Sequence, residues 1–541
     1  MKKMIGVIVA AALLSSCTQV AGWFGNTTDS TTHKEIDSSS YAAFRDETIT
    51  QANAYSDMFL DSAAVASYIQ KEKLSDSAAR DLRNFYLVRN YQYAWFTSQG
   101  MTEQARAMWN LYAGDSSNAD KRLKAHIDSL MQNDSLQLNR GDSSFAQTEL
   151  DMTRQLVQYA ARQDSGLITS ENIYYLVPAK KQDVMQLADS ILHREKDSAQ
   201  YANNKAYNAL KQQLAIYYKA ASDSSLKNIS IRSEKLKKGS TTPQVVVIKK
   251  RLAATGDYVT TDTSSKFNDS LETAIKDFQY RNGLMPTGVV NDSLVQVLNV
   301  PLKQRVEQIL VNLNRTLWMR PMNDSNRIMV NIPSLMLYAI EDSGKVFEMP
   351  VIVGKEGTST LMFSGDISEI VFNPVWHIPQ SIVEKEIMPK MKADPKYLEK
   401  NNMQVVSNKD SVPEIKQLPG MKNSLGQAKF LFPNRYDIYL HDTPDKSLFA
   451  KKDRALSHGC IRVADAKKLA AYLLRDQGDW SATKIEQVMK GNNEQHVAVK
   501  QKEPVYITYF TAWVDEKGKM NFRNDVYGHD KETGERMFTS M

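Results

Sequence analysis

Two side-chain types near residue 460 could do covalent chemistry at a carbonyl carbon: a thiol and an imidazole. The run Ser457-His458-Gly459-Cys460-Ile461-Arg462-Val463 holds one of the two cysteines in 541 residues. A thiol attacks an acyl carbon as thiolate, so Cys460 needs a nearby base or a positive potential to act below an ordinary pKa of about 8.5. His458 lies two residues away. In an extended segment its side chain points to the same face as Cys460, unless Gly459 turns the backbone. His441 stands nineteen residues upstream (460 − 441). It closes Asp437-Ile438-Tyr439-Leu440, which reads as a strand, and a strand end presents a base rigidly. The alternative for Cys460 is a buried, inert core residue.

The other cysteine sets the compartment. Lys2 and Lys3, an apolar run from Met4 to Leu14 and then Ser15-Ser16-Cys17 follow the order of an export signal. That run is too short to span a bilayer. Small residues before a cysteine resemble the bacterial lipobox, which implies a signal peptide at 1–16 and a lipid anchor on Cys17. An ordinary signal peptide and a short membrane anchor are the alternatives. Export puts a chain where disulfides are permitted, yet with Cys17 lipidated Cys460 has no intramolecular partner. A lone thiol in such a place is usually kept for reactivity.

The net charge of +6 is small for this length and spread out, so it gives no argument for nucleic acid, none is expected as a partner, and Lys235 to Lys238 read as solvated surface. The eight histidines are scattered. No cysteine pair and no His-Glu-x-x-His spacing supports a zinc site, so no metal is expected.

The elements that must position the thiol come late in the chain. Asn26 to Ser40 is rich in Ser, Thr and Asp, which suits a tether over 17–40. Apolar residues then recur at three- and four-residue spacing, predicting a helical scaffold over 41–230 with amphipathic helices at Phe145 to Gln163 and Lys181 to Arg194. Phe85-Tyr86 and Tyr91 to Phe96 read as helical core. From Ile328 the texture becomes that of strands: Ile328 to Ile332, Leu335 to Ile340, Glu348 to Gly354, Ala428 to Phe432 and Asp437 to Leu440. A polar, helical insertion rich in Lys, Glu and Met interrupts this domain from Ile382.

Two resemblances complete the reading. Val245-Val246-Val247-Ile248, Phe278-Gln279, Gly283-Leu284 and Gly288-Val289 stand where a small three-helix peptidoglycan-binding module has them, over 240–300. The resemblance implies wall recognition, with a structural spacer as the alternative. His441 with the Ser457 to Arg462 run is similar to the catalytic signature of the L,D-transpeptidase family. Phe372-Asn373-Pro374-Val375-Trp376-His377-Ile378-Pro379, Leu418-Pro419-Gly420, Asn423-Ser424-Leu425-Gly426 and Tyr506 to Trp513 look like its large, multidomain Gram-negative branch. The implied fold class is multidomain α+β: the helical scaffold, the three-helix module, and a mostly-β catalytic domain at 325–515. That domain carries an inserted capping subdomain at 382–427, and a C-terminal extension follows at 516–541.

The resemblance implies Cys460 as nucleophile and His441 as general base, its tautomer held by the backbone around Asp442. His458 would support them. Gly459 and Cys460 would supply oxyanion N–H groups, with Gly459 allowing close approach. Arg462 would orient a substrate carboxylate or form a structural ion pair. Ser457, Asn373, Trp376 and Asn423 would line the substrate site, with Trp376 equally placed as core. The implied reaction joins peptidoglycan tetrapeptide stems into 3→3 cross-links through a Cys460 thioester, without a cofactor and with carbapenem sensitivity. Water as acceptor would make it an L,D-carboxypeptidase, and a protein acceptor would make it a lipoprotein-to-wall ligase. A papain-like protease fits poorly, because its cysteine lies far upstream of its histidine. A non-catalytic wall-binding lipoprotein is the remaining class. Thr18-Gln19 after Cys17, with no aspartate, favours an outer-membrane anchor with the protein facing the periplasm, and a monomer is expected.

Overall fold

Side-chain caps start the N-terminal helices. Asp61, Ser75, Asp183 and Asn204 each accept a backbone N–H from the first turn that follows, satisfying donors that a helix start leaves orphaned. The computed structural model describes residues 44–113, 121–131, 144–161, 176–194, 203–230, 235–259, 262–408 and 411–539. The signal segment, Cys17 and the tether lie outside the described residues. Among the described residues no helix is long and apolar enough to cross a membrane.

The scaffold helices include Glu103–Ala113, Ser144–Ala161, Val184–Leu192 and Lys205–Ala221. The helix expected from Lys181 begins at Val184 because Asp183 caps it, and Lys181 instead donates its N–H to Asn53 O at 2.8 Å. Phe85, Tyr86, Trp95 and Phe96 are wholly buried. A small hairpin, β1 (Phe96–Thr97) and β2 (Gly100–Met101), follows this cluster. Buried Glu149 accepts the N–H groups of Ala94 at 2.6 Å and Trp95 at 3.0 Å, anchoring the approach to that hairpin.

Three helices, Pro243–Ala254, Asp269–Arg281 and Asp292–Leu298, pack around Ile248, Leu252, Phe267 and Ile275. Phe278 is in this core, and buried Gln279 accepts the Gly288 N–H at 2.8 Å while donating to Val289 O at 2.9 Å. These motif residues hold the fold of the module. Helix Leu302–Thr316 leads on to the β domain, and its Arg315 pairs with Glu103 of the scaffold and Asp530 near the C-terminus.

The β domain uses β3 (Arg327–Asn331), β4 (Met336–Glu341), β5 (Gly344–Gly354), β6 (Phe363–Phe372), β7 (Trp376–His377), β8 (Met403–Ser407), β9 (Glu414–Gln417), β10 (Ala428–Leu431), β11 (Leu440–His441), β12 (Ala455–Ser457), β13 (Ile461–Val463), β14 (Gln495–Thr508), β15 (Ala512–Val514) and β16 (Met520–Phe522). The main sheet runs β12-β5-β13-β11-β10-β6-β14-β3-β4, and an added β4–β5 pairing closes eight of these strands into a ring. Leu337, Val353, Phe430, Leu440, Ile461 and Ile507 fill its core together with Leu469 and Ile485 from two helices. The strand expected at Asp437 is confined to Leu440–His441, since Asp437 has φ +51° and belongs to the preceding turn.

The insertion departs from expectation at its start and in its content. It begins with β7 at Trp376, six residues before 382, and combines short helices with a sheet ordered β7-β9-β8. Ile378, Val383, Ile387, Met403 and Ile415 give it a core of its own. The segment after 515 is no appendage either: β15 pairs with β16 across that boundary, and helix His529–Met537 carries Asp530 to Arg315.

Candidate active site

Side chains alternate across a strand, and that alternation builds the site. β11 and β13 are parallel neighbours with Leu440 opposite Ile461 and His441 opposite Arg462. The Ile461 N–H donates to Tyr439 O at 3.1 Å, carrying the ladder one residue back. Leu440, Ile461 and Phe430 are wholly buried in the core. Tyr439, His441, Cys460 and Arg462 therefore share the opposite face, and Lys429 of β10 joins them in register with His441. His441 and Cys460 are thus diagonal neighbours across the β11–β13 pairing.

The imidazole has a fixed tautomer. His441 Nδ1 lies 2.5 Å from Asp442 O. A carbonyl only accepts, so Nδ1 carries the hydrogen and the Nε2 lone pair is left as the base. His441 is buried, and burial with the positive charge of Arg462 pushes its pKa down to about 3, against the pull of the Asp442 carbonyl. It is neutral at physiological pH. The Asp442 carboxylate is itself held by the Gln427 N–H at 2.9 Å and by Lys446. Gly426, at φ +62°, makes room for it: a Cβ there would lie 2.5 Å from the Asp442 side chain.

The half-buried thiol donates to Asp437 O at 3.7 Å. Burial pushes its pKa up, opposed by the backbone N–H and hydroxyl of Tyr439, which both hydrogen-bond the sulfur, and by the Lys429 charge. The Tyr439 ring meets the His441 ring in a T-shape at 5.7 Å, and Trp376 hydrogen-bonds its hydroxyl. The resting pair is thus a neutral thiol beside a neutral imidazole. Trp376 packs on the insertion core and touches the Tyr439 hydroxyl.

The polar atoms of five residues expected at the site are engaged within the protein. Ser457 Oγ donates to Cys460 O at 2.6 Å and accepts the Gly459 N–H at 3.2 Å. Ser457 therefore braces the turn, and the Gly459 N–H is not free for an oxyanion. Gly459 serves the turn through its φ of +110°, a conformation that glycine adopts without penalty. His458 points away to Glu386 of the insertion, Nε2 to Oε1 at 2.8 Å. Buried Asn373 donates to Val488 O at 2.7 Å, and buried Asn423 donates to Pro374 O at 2.9 Å and Leu418 O at 3.0 Å. Both asparagines hold loops.

Tyr439, Lys429, Asp437, Gly426 and Glu386 were not singled out from the sequence. Tyr439 was accessible to strand alternation, two residues before His441. The others depend on pairings between distant segments. Among the described residues no group of three or more His, Cys, Asp or Glu side chains is arranged to hold a metal ion.

Residues 325–533 match the family model of the L,D-transpeptidase catalytic domain, 80–214 that of a scaffold domain, and 241–298 that of a "putative peptidoglycan binding domain". A Haemophilus influenzae protein described as "Putative L,D-transpeptidase" is 34% identical over 223 residues, 38% of this chain and 45% of that relative. The match thus spans less than half of that relative's length. An L,D-transpeptidase from Mycobacterium smegmatis aligns at 13% identity and TM-score 0.20, over 34% of this chain and 58% of that one. One from Stackebrandtia nassauensis aligns at 15% and 0.22, over 52% and 95%.

Proposed function

We propose that this chain, whose residues 325–533 match an L,D-transpeptidase catalytic domain, forms 3→3 cross-links between peptidoglycan stems through a thioester on Cys460. The observation that carries this reading is the common face of Cys460 and His441, with the imidazole held in the Nδ1–H tautomer by Asp442 O.

The thiol leaves the Asp437 carbonyl as the donor stem enters, and its proton passes to His441 Nε2 while Sγ attacks the carbonyl carbon of the L,D bond between the third and fourth residues. Proton transfer concerted with attack suits a neutral thiol and a neutral base. The Cys460 N–H and the Tyr439 hydroxyl supply hydrogen bonds to the developing oxyanion. Collapse breaks the C–N bond, the proton on His441 goes to the departing amine, and D-alanine leaves. The side-chain amine of a second stem then gives its proton to His441, attacks the thioester and restores the thiol. Carbapenems acylate the same sulfur.

The module at 241–298 holds the enzyme on the wall. Cys17 carries the lipid that anchors a monomer to the outer membrane, facing the periplasm. The mass of the membrane-extracted chain and its loss from membranes in Cys17→Ser test the anchor.

The central test incubates the protein with purified disaccharide-tetrapeptide and reads the products by mass spectrometry. Cross-linked dimers that vanish in Cys460→Ala are expected. Tripeptide alone would identify a carboxypeptidase, and unaltered substrate with no acyl-enzyme would leave a wall-binding lipoprotein.

A further inference from the structure

Lys429 sets a cation beside the thiol. It lies on β10 in register with His441, and its ammonium sits 3.9 Å from the centroid of the Tyr439 ring, whose hydroxyl bonds the Cys460 sulfur. Its side chain is half-buried, and burial lowers its pKa. No ion pair holds Nζ among the described residues. The acidic groups whose charges reach it are first the Cys460 thiol, then Asp437, Glu494 and Glu369. Glu369 and Glu494 are engaged by His496, at 2.8 Å and 3.9 Å, and Glu494 also accepts the Val375 N–H at 2.7 Å. Asp437 stays beyond ion-pair distance.

Arg462, on the same face, shows a related deficit: its Nε is buried with no partner, although Asp445 offers it a counter-charge. Desolvated cations are costly unless paired. The Tyr439 ring offsets part of the cost for Lys429, and an anion arriving with a ligand would offset the rest. A peptide donor with its scissile carbonyl at Sγ places the carboxylate of the leaving residue within one residue span of the sulfur, about 3.8 Å between successive Cα atoms. That is the scale of the aromatic ring lying between Lys429 and the thiol.

We propose that Lys429 binds the free α-carboxylate of the C-terminal residue that departs when Cys460 is acylated. The inference rests on the acyl-transfer reading above and names the group that the site recognises.

The test measures binding of the tetrapeptide donor and of its C-terminal carboxamide to the full chain carrying Cys460→Ala, which cannot turn them over. The free acid is expected to bind roughly tenfold or more tightly than the amide, the size of a charge-assisted hydrogen bond. Adding Lys429→Met is expected to erase that preference while leaving amide affinity unchanged, and Lys429→Arg to retain it. Equal binding of acid and amide to Cys460→Ala, or an equal loss for both in Lys429→Met, overturns the proposal and leaves Lys429 as a residue that positions Tyr439. A clear acid preference in a protein whose unaltered form makes no thioester would instead refute the acyl-transfer reading and leave Lys429 only as a group that binds a peptide carboxylate.

Discussion

His458 Nε2 lies 2.8 Å from Glu386 Oε1, and this pair ties the turn before Cys460 to the π-helical turn Val383–Ile387 of the insertion. Both side chains are about 40% exposed. Such a pair adds little to stability, about 0–1 kcal/mol, but it couples two elements of separate cores. The insertion cannot swing away from the site without breaking it.

Glu386→Gln should therefore leave the melting temperature within about 2 °C of the parent while speeding amide exchange over 383–387 and lowering kcat/KM severalfold. Unchanged exchange in that turn would show that the pair does not latch the insertion.

The low pKa of His441 has two consequences with defined signs. Its folded value of about 3 lies below an ordinary 6.5, so between these values the unfolded chain binds the extra proton. Stability then falls as pH drops through that window, by up to ~1.4 kcal/mol per pH unit. In His441→Gln the slope of unfolding free energy between pH 6.5 and 4 should be shallower by that amount. The second consequence concerns Cys460, whose pKa burial raises. Its alkylation by iodoacetamide should rise along a single limb centred above pH 8.5. A plateau already reached at pH 6 would instead mean a resting thiolate–imidazolium pair.

Gly426→Ala should injure the base more than the fold. The new methyl would overlap the Asp442 side chain, and the φ of +62° adds strain of about 1–2 kcal/mol. Asp442 must shift, and its carbonyl with it, so the hydrogen bond that sets the His441 tautomer weakens. A fall in kcat of tenfold or more with KM nearly unchanged is expected, along with a changed Nδ1–H proton resonance. Parent-like kcat would sever the link from Gly426 to the imidazole.

Arg315→Ala removes the buried cation shared by Glu103 and Asp530. Leaving two carboxylates without it should cost about 3–5 kcal/mol, read as a lower denaturant midpoint at unchanged slope. A loss below about 1 kcal/mol would mean that the scaffold, the helix Leu302–Thr316 and the C-terminal helix are held together by apolar packing alone.

The pattern of residue types was enough, without coordinates, to single out Cys460 and His441, the change from helical to strand texture near Ile328, and the two motif-bearing modules. These are local properties: a motif is contiguous, and periodicities of 3.6 and 2 are written along the chain. Which polar atoms remain free for chemistry was decided only by tertiary structure. Ser457, Asn373 and Asn423 had the right types to touch a substrate, yet each spends its hydrogen bonds on a carbonyl or N–H that folding brings beside it. His458 turns to Glu386, 72 residues away (458 − 386), because Gly459 kinks the run. Lys429 reaches the site only because β10 pairs with β11 in the register that sets it opposite His441. Register arises from core burial of Phe430, Leu440 and Ile461 across three strands at once, a condition that no single stretch of sequence states.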